Sequence, residues 1–106
     1  MQVGISNLLG LMMRARKIDM GTAKIMDGIR KRKYTLVILA NDASKQTRKQ
    51  FCQKTEYYEV PLIEMGTKES IGAAIGKDIA VAVGLTDVGF TKKIYEVLEK
   101  TESSFR

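Results

Sequence analysis

Apolar residues recur at helical spacing from the start of the chain. Ile5, Leu8, Leu9, Met12 and Met13 fall on one face of a helix expected over residues 3–17. Arg14, Arg16 and Lys17 end it with positive charge that complements the helix dipole. A short extended piece over 17–20 leads to a second amphipathic segment, in which Thr22, Ile25, Met26 and Ile29 share a face. Gly21-Thr22 reads as its entry with Thr22 as the N-cap, and it runs out through Arg30, Lys31, Arg32 and Lys33. Residues 35–40 are continuously apolar, as in a central strand covered on both faces.

Residues 41–44 carry turn chemistry that opens a third helix, with Ala43, Thr47 and Phe51 as its inner stripe and Cys52 and Thr55 beside it. Residues 60–63 form a short strand, which Pro61 confines to an edge or a start because it cannot donate a ladder hydrogen bond. Thr67 caps a fourth helix that points Ile71, Ala74 and Ile75 inward and stops at Gly76. A buried strand is expected over 79–83. Thr86 or Asp87 then starts a last helix with Phe90, Ile94, Val97 and Leu98 inside, and residues 101–106 read as a frayed tail. From residue 35 onward strands and helices alternate, which predicts parallel pairing. The expected fold class is α/β, a three-layer α/β/α sandwich around a small mixed, mainly parallel sheet, in one domain over residues 1–106. Helices that follow parallel strands begin at one rim, where open α/β sheets bind ligands; that rim is expected to hold residues 41–44, 66–68 and 86–87.

Charge narrows the chemistry. The net charge is +6, and it is polarised: residues 1–55 carry 12 Lys/Arg against 3 Asp/Glu, whereas residues 56–106 carry 6 against 9. A field of this kind attracts polyanions, because each phosphate neutralised releases condensed counterions. The chain has no histidine and a single cysteine, so an internal disulfide, a Cys/His zinc site and a Ser-His-Asp or Cys-His nucleophile are all excluded. No apolar run nears the ~20 residues of a membrane span, and the N-terminus lacks signal-peptide features. The expectation is a cytoplasmic protein that is not an enzyme, with no cofactor, no metal and no catalytic residues.

Each feature also has a plainer reading. Residues 30–33 serve equally well as a solvated helix end. Cys52 reads as a small buried hydrophobe and the six methionines as core filler. Residues 72–76 are a small-residue face for close packing, and Asp42 and Asp87 are turn or cap residues.

Two blocks resemble a known family. Gly21-Thr22-Ala23-Lys24-Ile25-Met26-Asp27-Gly28-Ile29-Arg30 is similar to the block G-T-N-E-x-x-K-x-[LVI]. Met65-Gly66-Thr67-Lys68-Glu69-Ser70-Ile71-Gly72-Ala73-Ala74-Ile75-Gly76 is similar to V-x-S-K-x-x-L-G-x-A-x-G. Between them, residues 36–44 resemble the family's apolar strand followed by A-x-D-A. The family is the kink-turn-binding ribosomal protein superfamily, which includes the large-subunit proteins called seven-Ae and thirty-e; the best match is its small bacterial, YlxQ-like branch.

The resemblance implies binding of a kink-turn, an RNA duplex sharply bent at a bulge beside tandem G·A pairs. The start of the second helix would meet the G·A edges, and the loop before the fourth helix would cover extruded bases. Carried over residue by residue, the implied RNA-binding set is Gly21, Thr22, Ala23, Lys24, Asp27, Lys31, Ser44, Arg48, Lys68, Glu69, Ile71, Gly72 and Ala73. Three of these depart from the family block: Ala23 replaces Asn, Lys24 replaces Glu, and Asp27 replaces Lys, with Lys31 one turn on as a substitute cation. The implied partner is a structured RNA, with a ribosomal kink-turn first and ribosomal proteins as further partners. The chain is expected to be a monomer without membrane contact. The competing expectation is a ribosome- or assembly-linked protein-docking module with little kink-turn specificity.

Overall fold

The computed structural model describes residues 1–104, with side chains described through residue 99. The elements run α1 (Val3–Arg14), β1 (Ile18–Met20), α2 (Thr22–Arg30), β2 (Leu36–Leu39), α3 (Lys45–Tyr57), β3 (Leu62–Glu64), α4 (Lys68–Ala74), β4 (Ala82–Leu85) and α5 (Val88–Ser104). Helix α5 continues to Ser104, into the stretch expected to fray; residues 105 and 106 lie outside the described residues.

The four strands form one sheet in the order β1-β4-β2-β3. All four β2 residues are buried, because helices cover both faces. On one face α1, α4 and α5 pack Ile5, Leu9, Met12, Ile71, Ile75 and Ile94 against Leu36, Ile38, Val83 and Leu85. On the other, α2 and α3 pack Ile25, Ile29 and Phe51 against Val37, Leu39 and Ala82, with Tyr34 and Val60 in the same cluster. The alternation of β2 side chains between the two clusters follows from the two-residue repeat of a strand. β3 is an edge strand, as Pro61 requires, and the Pro61 carbonyl accepts from Val37 N–H.

Two of the three strand pairings are antiparallel. Only β2 and β3 run parallel; β4 opposes both β1 and β2. The expectation of a mainly parallel sheet fails at α4. That helix has seven residues, ~10 Å at 1.5 Å per residue, which is too short for a return crossover. The chain instead turns at Gly76 (φ +76) and folds back beside α4, where Ala80 N–H donates to the Lys68 carbonyl at 2.9 Å. β4 therefore enters the sheet at the rim where α4 begins. Thr86 and Asp87 consequently sit at the opposite edge: Thr86 N–H donates to the Lys17 carbonyl, and Asp87 caps α5 by accepting from Phe90 N–H at 2.9 Å.

Three local expectations also change. Gly21, not Thr22, is the N-cap of α2, at φ +94 and ψ 124, with no side-chain cap. Cys52 is exposed, because Phe51 and Thr55 take the inner line of α3 and Cys52 lies a further ~100° around the helix. Ile79 is 64 % exposed in the loop before β4 rather than buried in a strand.

Candidate nucleic-acid interface

β1, β2 and β3 all finish at one edge, so the starts of α2, α3 and α4 converge there. Side chains and backbone tie the three together. Ser44 caps α3, its Oγ accepting from Thr47 N–H at 3.1 Å. Thr67 and Ser70 form a reciprocal capping box at α4. Asp42 Oδ1 accepts from Lys68 N–H at 2.8 Å, and Asn41 N–H donates to the Gly66 carbonyl at 2.8 Å. The αL conformation of Gly66 (φ +67) allows that loop to close.

The loop over 77–81 links this group to α2. One shallow concavity of about 620 Å³ is lined by Met20, Gly21 and Thr22 on one side and Lys77, Asp78 and Ile79 on the other. A neighbouring one of about 360 Å³ is lined by Asp42, Lys68, Glu69, Asp78 and Ile79. The two concavities share Asp78 and Ile79, so Thr22 at the start of α2 and Lys68 at the start of α4 border one rim with Ile79 at its middle, and Lys24 stands in the same first turn of α2 as Thr22. Gly72 sets the position of the loop. A Cβ there would lie 2.9 Å from the Asp78 carbonyl oxygen and from the backbone of Ile79, so only glycine lets the loop sit so close to α4.

The residues expected to bind divide into four groups, with Asp27 and Lys31 standing apart from the rim toward the far end of α2. Gly21, Thr22, Ala23 and Lys24 are exposed at the rim, and no side chain caps the helix start they form. Lys68 is half-buried beside them, with Glu69 and Ala73 exposed on α4. Ser44 and Arg48 brace the rim. Arg48 Nη2 donates to the Asn41 carbonyl at 2.8 Å, and its Nε lies 2.6 Å from Glu64 Oε1. Ile71 and Gly72 are buried, Ile71 completely, so Ile71 takes the inward place its helical spacing gives it rather than meeting a base, and the RNA contact expected at Gly72 is corrected to a packing role. Thr86 and Asp87 leave the rim for the reason given by the sheet.

The electrostatics of α2 follow from two ion pairs. Lys24 Nζ lies 3.5 Å from Asp19 Oδ1, and Lys31 Nζ lies 2.9 Å from Asp27 Oδ2 one turn away. The second pair neutralises the carboxylate that replaces the family's lysine, and the hydrogen bond and charge of Lys31 hold Asp27 below the usual carboxylate range. Burial raises the Asp19 pKa, but hydrogen bonds from Lys33 and Tyr34 and the charges of Lys33 and Lys24 outweigh it, so the net shift is downward. Tyr34 donates to Asp19 Oδ2 at 2.9 Å, and Lys33 Nζ sits 2.8 Å from the same oxygen. Burial, then the Asp19 hydrogen bond and charge, keep the Tyr34 hydroxyl protonated well above its ordinary range.

Sequence reasoning missed Asp78 and Ile79 as rim residues and Asp19 with Tyr34 as the anchor behind Lys24. A signal for the first existed in Gly76 followed by Asp78, turn chemistry that argues against a strand beginning at 79. For the second there was none, since Asp19 and Tyr34 are joined by the fold alone.

Residues 4–95 match the ribosomal protein L7Ae/L30e/S12e/Gadd45 family. The chain is 43% identical over 93 residues to a protein of Enterococcus faecium named RNA-binding protein YlxQ, covering 88% of this chain and 89% of that one. It is 39% identical over 92 residues to the protein of the same name from Bacillus subtilis, covering 87% and 92%. Among solved structures, a Bacillus halodurans protein described as of unknown function superimposes with a TM-score of 0.86 at 33% identity, over 92% of this chain and 99% of that one. A Giardia lamblia 15.5kD RNA binding protein superimposes with a TM-score of 0.77 at 20% identity, over 95% and 87%, which speaks to the fold. This chain belongs to the ribosomal protein L7Ae/L30e/S12e/Gadd45 family.

Proposed function

We propose that the protein binds a structured, sharply bent RNA of the kink-turn kind through this rim, with ribosomal RNA as the first candidate and without catalysis. The observation that carries the reading is the union, along one edge, of three helix starts with Lys68 and the exposed side chain of Ile79, Lys24 standing in the first turn of α2. A bent RNA crowds phosphates, which cations and helix N-termini offset. It also splays bases out of the stack, and those bases need a face to rest on. Ile79 supplies such a face. Gly21 and the uncapped first turn of α2 allow the backbone to approach base edges closely, while Lys24 donates to a guanine edge or a phosphate. Two relatives near 40% identity over most of the chain carry the name RNA-binding protein, in support of the same reading. The rim has cations for RNA but lacks the family's Asn at Ala23 and Lys at Asp27, so selectivity falls on the remaining contacts.

The test is a pair of gel shifts at fixed salt, with a kink-turn duplex and the same RNA carrying Watson–Crick pairs in place of its G·A pairs. The kink-turn is expected to bind at least about tenfold tighter, ~1.4 kcal/mol. Equal affinities would reject the kink-turn reading.

A further inference from the structure

The edge opposite the rim is the more basic of the two. The rim mixes Lys24, Lys45, Arg48, Lys68 and Lys77 with Asp42, Glu64, Glu69 and Asp78. The opposite edge receives the ends of α1 and α2, and with them Arg14, Arg16, Lys17 and all four cations of residues 30–33, every one of the seven exposed, against Asp87 and, past the end of α3, Glu59. Lys31 and Lys33 have carboxylate partners in Asp27 and Asp19. Among the described residues Arg14, Arg16, Lys17, Arg30 and Arg32 have none within ion-pair distance.

The two clusters are neighbours in space. Thr86 donates to the Lys17 carbonyl, and Thr35 N–H donates to the Leu85 carbonyl, so the chain entering β1 and the chain entering β2 flank the end of β4. Two strand spacings, about 10 Å, separate the backbone at Lys17 from that at Thr35, and the ends of α1 and α2 flank this edge from opposite faces of the sheet. Complementing the helix dipoles accounts for a cation or so at each end, fewer than the seven present. Arg16 (φ 59) and Arg32 (φ 51), like Glu59 (φ 57) after α3, each follow a helix C-cap in the left-handed region. Beside Arg32, whose Nε donates to the Tyr58 carbonyl, Tyr57 is 76 % exposed and packed edge-on against Tyr58, and so offers a ring for a base to stack on.

We propose that this edge is a second nucleic-acid surface, which takes the phosphate backbone of another RNA segment, so that one molecule joins two RNA segments across a body of 33 × 30 × 26 Å. The binding is electrostatic and independent of sequence. It supplies effective concentration to the rim rather than selectivity.

The test uses the full chain with a donor-labelled kink-turn RNA and an acceptor-labelled plain RNA duplex. Energy transfer between the two RNAs is expected on adding wild-type protein, and it should fall steeply as salt rises. The triple variant Arg14→Glu, Arg16→Glu, Arg30→Glu should weaken capture of the duplex at least about tenfold and lower the salt slope by about three. It should leave kink-turn affinity within about twofold, since these residues lie far from the rim. If the reversal variant melts early, the Arg→Gln triple replaces it, with a smaller loss expected in the same direction. Absence of transfer with wild type at low salt, or a triple variant that still captures the duplex, would overturn the proposal. So would competition by poly-glutamate as effective as by RNA of equal charge, which would make the edge a docking surface for an acidic protein. Failure of the rim reading is distinguishable, because it would remove the preference for the kink-turn RNA while leaving titration of the plain duplex alone sensitive to the triple variant.

Discussion

Replacing Tyr34 by phenylalanine removes one hydroxyl and leaves the shape of the core intact. The ring lies between Gly28 and Gly84: a Cβ on Gly84 would come within 2.6 Å of the ring carbon Cε1, and one on Gly28 would overlap the hydroxyl. The lost interaction is the 2.9 Å hydrogen bond from Tyr34 to Asp19 Oδ2. A hydrogen bond to a charged group contributes roughly 1.5–3 kcal/mol. The lower end applies here, because Lys33 stays 2.8 Å from the same oxygen and the carboxylate keeps 14 % exposure. Urea unfolding at neutral pH should therefore show a loss of about 1.5 kcal/mol with an unchanged m value, or a Tm lower by roughly 6–12 °C for a chain of this size. The pH dependence has a definite sign. Asp19 titrates lower in the folded than in the unfolded chain, whose value is near 3.8, so its contribution is complete above that value and is lost as pH falls through the folded pKa. Tyr34→Phe removes one cause of the depression, so the stability gap between wild type and variant should narrow below about pH 4. A loss under about 0.5 kcal/mol at neutral pH, the range of an ordinary surface change, would refute the reasoning, as would a gap that widens in acid.

Gly72→Ala should destabilise by about 1–2 kcal/mol, since overpacking costs ~1–3 and helix propensity returns up to ~1. It should also displace the 77–81 loop and weaken RNA binding, a combination readable by thermal melts and gel shifts on the same preparation. Lys24→Ala should weaken kink-turn binding by roughly 1–3 kcal/mol if the side chain meets a base edge; a negligible loss, set against a large one from Lys31→Ala, would transfer the contact to phosphate further along α2. The Cys52 thiol should react with a soluble disulfide reagent in the native protein, and reaction only upon unfolding would contradict its exposed position.

What the sequence disclosed depended on whether the cause was local. The run over 35–40 became β2, buried throughout, because continuous apolarity reflects cover on both faces. Thr67 as a cap, Gly76 as a stop and Pro61 at an edge are each properties of a few consecutive residues, and each stands in the structure. The direction of β4 is different. It turns on α4 being too short to cross the sheet and on Gly72 admitting the returning chain, a relation between elements that periodicity does not encode. That one reversal exchanged Thr86 and Asp87 for Asp78 and Ile79 at the rim. Cys52 was misplaced by a smaller error, since it adjoins Phe51 in sequence but faces ~100° away. Ile71 was legible as apolar and helical, but its spacing could not say whether it served the core or a base.

The central claim is that one edge of the sheet embraces a bent RNA, and amide chemical-shift mapping tests it most directly. On titration with a kink-turn RNA, the account predicts that the largest shifts cluster at residues 21–24, 41–44, 67–69 and 78–81, which share the rim. Shifts confined to residues 14–17 and 30–33, with the rim silent, would contradict it.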